Sequence, residues 1–178
     1  MSKLYIVQTQ SKTTLASLVK LVTRNKYSHI MISLDNKFDK MYGFGRKNAL
    51  IPFIGGYVVT SKNGLFYRMY KNTQCRVFIL EITNEQKRRI ENILYNFNMN
   101  QEKYNYDFVG LVLRFINIDY RPKNKYVCSN FAGYLLEQSG IYHFGKNTYS
   151  IKPQDFDNIK NSKLYYEGLL KNIEGILL

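Results

Sequence analysis

The chain has 178 residues, which fits one domain able to bury a core, and a hydrophobic fraction of 45% with 16 Tyr and 11 Phe excludes a disordered polymer. Its formal net charge of +13 is unevenly spread: residues 1–80 hold thirteen Lys/Arg against Asp35 and Asp39, residues 81–178 hold thirteen against eleven acids. A basic half of this kind can attract phosphate, nucleic acid, an anionic membrane or an acidic partner, and without a block of five like charges or a nucleic-acid-binding pattern nucleic acid is the less expected of these.

In chain order, Leu4-Tyr5-Ile6-Val7 reads as a short apolar strand. Polar residues follow it at once, so it is too short for the core of an export signal, and no run approaches the ~20 apolar residues of a membrane helix. A cytoplasmic location is the expectation. Thr13 or Thr14 then caps a helix with Leu15, Leu18, Val19 and Val22 at helical spacing. Residues 27–34 read as a strand, and 38–44 as its hairpin partner across the turn-rich Asp35-Asn36-Lys37. Pro52 and Gly55-Gly56 mark a loop before Tyr57-Val58-Val59, and strands are expected over 65–70 and 76–82.

Thr83 with Gln86 forms a capping box. Ile90, Ile93, Leu94 and Phe97 give the stripe of an amphipathic helix ending near 98–100. Residues 106–116 read as a second apolar helix and 121–125 as a polar loop. A further helix starts near Cys128, buries Phe131, Ala132, Leu135 and Leu136, and stops at Gly140. The tail holds a turn at Lys152-Pro153, a short segment at 164–166 and an apolar last helix. The economical reading is a single α+β domain over 1–178.

Two cysteines, Cys75 and Cys128, and two histidines, His29 and His143, with no CxxC or HxxxH spacing, argue against a disulfide framework and a structural zinc site. The Gly43–Gly45 and Gly55-Gly56 pairs form no phosphate-binding fingerprint. Cys128 follows a polar loop at a helix start, where unpaired backbone N–H groups and the helix dipole favour a thiolate and could face an oxyanion. A small core residue is the competing reading of that position. His29 lies within an apolar strand whose alternation puts His29, Met31 and Ser33 on one face and Ile30, Ile32 and Leu34 on the other. A strand imidazole facing a helix-start thiol is the arrangement of a thiolate–imidazolium pair. Cys75 reads as a buried strand residue, His143 as a surface loop histidine.

Tyr27-Ser28-His29-Ile30-Met31-Ile32-Ser33-Leu34-Asp35, then Met41-Tyr42-Gly43-Phe44-Gly45-Arg46, then Lys125-Tyr126-Val127-Cys128-Ser129-Asn130-Phe131 resemble, in that order, the circularly permuted branch of the NlpC-type papain-like superfamily. YiiX-like proteins and lecithin:retinol acyltransferase relatives belong to it. The resemblance covers about residues 27–140 and implies an antiparallel sheet or partial barrel packed on helices. It implies Cys128 as nucleophile and His29 as general base and then acid. It also implies a polar third residue on the strand after His29, holding the second ring nitrogen. That slot falls near Gly43, which has no side chain, so Tyr42, Ser33, a backbone carbonyl or a water is left to orient the ring. Asn130 stands where related sequences often carry Glu or Gln, and Tyr126 reads as core packing or site lining.

These residues lead to the expectation of a cysteine-dependent hydrolase or acyltransferase. It would act on an amide, ester or thioester of a peptide-like, cell-wall or lipid-acyl substrate, with no metal or organic cofactor. The alternative is a non-catalytic papain-like binding module whose basic face holds nucleic acid or an acidic partner, and the glycine in the orienting slot favours it.

Overall fold

A computed structural model of the protein describes residues 1–10, 26–48, 51, 54–113, 118, 120 and 122–173. The strands are β1 (Ser2–Gln10), β2 (His29–Ser33), β3 (Met41–Arg46), β4 (Gly55–Thr60), β5 (Gln74–Ile82), β6 (Asn105–Tyr106), β7 (Lys125–Tyr126) and β8 (Lys163–Leu169). They form one eight-stranded sheet in the order β7-β6-β4-β3-β2-β1-β5-β8. Every neighbouring pair is antiparallel except β6 with β7. The α-helices are α1 (Leu65–Met69), α2 (Asn84–Met99), α3 (Phe108–Leu113) and α4 (Cys128–Gln138). The α+β expectation is met.

The central strands are apolar on both faces, so each face carries its own core. On one, Leu4 and Ile6 of β1, Ile30 and Ile32 of β2 and Phe44 of β3 pack with Ile90, Leu94 and Phe97 of α2 and with Phe131, Ala132, Leu135 and Leu136 of α4. Aromatic rings dominate this side: Phe97 lies 5.0 Å from Phe131 and 4.2 Å from Tyr104, centroid to centroid. On the other, Tyr5, Val7, Met31, Met41, Cys75 and Val77 pack with Tyr67 of α1, Phe38, Leu170 and Ile173. The helix stripes expected for α2 and α4 are the faces they bury, and the Thr83–Gln86 capping box is present.

The β2–β3 hairpin is present, in register Ile32↔Tyr42 and Ser33↔Met41. Gly140, at φ +69°, ends α4 in the left-handed conformation that glycine tolerates best. Three expectations need correction. Residues 65–70 are not a strand: Gly64 O accepts the Arg68 N–H at 3.0 Å and starts α1, which buries Tyr67 and packs Phe66 partly against the same core. Gly55 and Gly56 belong to β4 rather than to a loop, and a Cβ at Gly56 would come 2.5 Å from the Tyr104 carbonyl, so only glycine lets the neighbouring chain approach. β1 runs past Val7 to Gln10 because the buried polar side chain of Gln8 is satisfied by Pro153 O and Asp157.

Segment 164–166 widens to β8, and Lys125-Tyr126 pairs as β7 within the expected loop. The Thr13/Thr14-capped helix, Pro52, Arg121 and the ends of the helices expected over 106–116 and at the carboxyl terminus lie outside the described residues.

Candidate active site

Cys128 is the first residue of α4, 4% exposed. Val127, which precedes it, has no side chain able to cap, and the chain compensates from inside the helix: Asn130 Oδ1 accepts the Val127 N–H at 2.8 Å. Ser129 Oγ donates to the Ile151 carbonyl at 2.7 Å. Both residues after the cysteine are buried and hold the start of α4 in place. Gly133 allows the same close contact one turn on, where a Cβ would overlap Ile151 Cδ1.

The thiol lies against the beginning of β2. Cys128 Sγ is 4.0 Å from the carbonyl oxygen of Ser28, the residue before His29. Two sequence segments about a hundred residues apart therefore meet at this point. Ile30 and Ile32 turn toward α4, so His29 and Met31 turn to the opposite face of the sheet. There the His29 ring lies over β3, with Cε1 3.4 Å and Nε2 3.7 Å from the place a Gly45 Cβ would occupy. Burial is the sole cause that lowers its pKa, to about 4, so the imidazole is neutral.

Neither expected orienting side chain reaches the ring. Ser33 is four residues farther along β2, and its hydroxyl donates to Asp35 O and Lys40 O, both at 2.9 Å, closing the hairpin turn. Tyr42 packs on the α4 side of the sheet, opposite Ile32, where burial raises its pKa, helped by Asp35 and Glu91. The strand position across from the imidazole is Gly45 rather than Gly43, which instead meets Met31 Cγ. The strand after His29 therefore supplies glycine at the expected position, Gly43, and at the one that faces the ring, Gly45.

Tyr126 is a core aromatic, 5.1 Å from Phe44 between ring centroids. His143 is a surface residue, its side chain 81% exposed and 3.4 Å from Glu137. Cys75 is wholly buried in β5, and burial pushes its thiol up to about 12, with Glu167 adding to the shift. Neither cysteine is in a disulfide. Among the described residues no group of three or more His, Cys, Asp or Glu side chains is placed to hold a metal ion, and no helix is long and apolar enough to cross a membrane.

A polar cluster beside the site carried no sequence signal, because its members come from three distant segments. Arg76 Nε donates to Gln8 Oε1 at 2.9 Å and Arg76 Nη2 to Asp157 Oδ1 at 2.5 Å, while Gln8 Nε2 donates to Asp157 Oδ1 at 2.7 Å. The guanidinium also stacks over Tyr27, 4.9 Å from its centroid. Gln8 reaches Pro153 O as well, two residues from the carbonyl that holds Ser129. The cluster thus anchors the 151–153 segment on which the start of α4 rests. A cavity of about 250 Å³ lies elsewhere, between the β2–β3 turn and α2, lined by Leu34, Asp35, Lys40, Tyr42, Lys87 and Glu91 among others. In comparisons with known proteins, no family model and no curated protein matches the chain.

Proposed function

We propose that the protein is a cysteine-dependent hydrolase or acyltransferase of the permuted papain-like kind, with Cys128 as nucleophile and His29 as its base. The observation that carries this reading is the position of Cys128: first residue of a helix, 4.0 Å from the backbone of the residue preceding His29. A helix start lowers a thiol's pKa and supplies unpaired N–H groups for an oxyanion. In the reaction, His29 takes the Cys128 proton and the thiolate adds to an amide, ester or thioester carbonyl. The imidazolium then gives that proton to the leaving group as the C–N, C–O or C–S bond breaks. Water, an amine or an alcohol, deprotonated by His29, resolves the acyl-enzyme and the proton returns to sulfur.

The reading makes one structural demand. His29 is the first residue of β2, and its ring must swing from the Gly45 side round the strand end to reach the thiol. A peptide-like or acyl substrate is the class this chemistry serves. The second reading is the non-catalytic binding module, and the orientation of His29 favours it, since an imidazole on the far face of the sheet takes no proton from Cys128.

An electrophilic acyl probe separates the two. On the enzyme reading the native protein is labelled once, at Cys128, and Cys128→Ala and His29→Ala each abolish labelling, as intact mass and peptide mapping would show. Labelling at Cys75, or undiminished labelling of His29→Ala, sinks the dyad.

A further inference from the structure

We propose that the outer side of α1 is a docking surface for an anionic lipid bilayer, whatever chemistry Cys128 performs. The helix is a single anchored turn: Tyr67 enters the core, where its hydroxyl bonds Met31 Sδ at 3.4 Å, and this fixes which residues point outward. Leu65 and Met69, one turn apart, project together and are 60% and 46% exposed. Arg68 and Lys71 are exposed alongside them, and the half-buried rings of Phe66 and Tyr70 flank the turn, 4.8 Å apart. Among the described residues no acidic side chain pairs with Arg68 or Lys71. Lys62, by contrast, spends its ammonium on the Ile173 carbonyl at 2.6 Å and is no part of the surface.

The stretch of chain that carries this turn is basic, although its Arg76 is paired with Asp157. Residues 40–80 contain seven Lys/Arg and no Asp or Glu. Aliphatic side chains that enter the acyl boundary, cations that stay at phosphate level and aromatic rings between them are the three components of an interfacial membrane contact. Nucleic acid would use the cations and leave Leu65 and Met69 in water.

The test is co-sedimentation of the full chain with phosphatidylcholine vesicles in which phosphatidylserine rises from none to about 40 mol % at fixed salt. Binding should climb with phosphatidylserine and fall at least about tenfold in Arg68→Glu/Lys71→Glu, given about fivefold per basic residue at an anionic surface. Lys103→Glu/Lys160→Glu changes net charge equally at exposed sites elsewhere and should bind nearly as the native chain does. Since the chain has no Trp, Leu65→Trp gives a single reporter, and its emission should shift to the blue on vesicles. Binding that stays flat with phosphatidylserine overturns the proposal, as does an equal loss in both charge variants. A silent Leu65→Trp whose chain is captured by duplex DNA overturns it in favour of nucleic acid.

Discussion

Lying over Gly45, half-buried at the start of β2, the His29 imidazole stays neutral in the folded chain down to about pH 4, whereas in the unfolded chain it takes a proton near 6.5. Between those values the unfolded state binds the extra proton, so folded stability is fully present above about pH 6.5 and declines as pH falls toward 4. The loss reaches up to about 3 kcal/mol. Thermal midpoints measured across this range should drop for the native protein and stay flatter for His29→Gln; parallel curves contradict the buried, neutral imidazole. The sequence made part of this legible. Period-two alternation puts His29 with Met31 and Ser33 and away from Ile30, and the sheet keeps that division. What alternation cannot say is which face the cysteine helix covers, because β1 is apolar on both sides, Leu4 and Ile6 on one and Tyr5 and Val7 on the other.

At the scale of elements, α4 depends on a cap that it supplies to itself. Removing the Asn130 carbonyl leaves the Val127 N–H buried and unbonded, so Asn130→Ala should cost about 1–2 kcal/mol in urea unfolding and speed amide exchange in the first turn of α4. Asn130→Asp keeps the acceptor and should recover most of the loss; if it behaves like the alanine variant, the cap is not what holds the helix start. The same scale shows why α2 and α4 could be read from sequence and α1 could not. α2 runs 16 residues and α4 runs 11, long enough for the 3.6-residue period to repeat. α1 is five residues rich in aromatics, which locally reads as a strand, and its helical turn shows only in the Arg68–Gly64 and Tyr70–Phe66 backbone bonds and in the burial of Tyr67.

For the whole molecule, one sheet with a core on each face explains both what the candidate site has and what it lacks. The start of α4 brings the Cys128 thiol to the start of β2, while the His29 ring lies over Gly45 of β3. The order of segments that carries the family resemblance was visible in the sequence, and so was the placing of a cysteine at a helix start. The Gln8–Arg76–Asp157 anchor was not, because it exists only once β1, β5 and the 153–158 turn are side by side. The central claim is a nucleophilic Cys128 served by His29, and the pH dependence of Cys128 alkylation tests it most directly, followed by mass spectrometry in the native chain and in His29→Ala. The account predicts a native thiol that titrates well below the free-cysteine value of about 8.5 and loses that activation when the imidazole is removed. A Cys128 that titrates at or above about 8.5 in both proteins contradicts it.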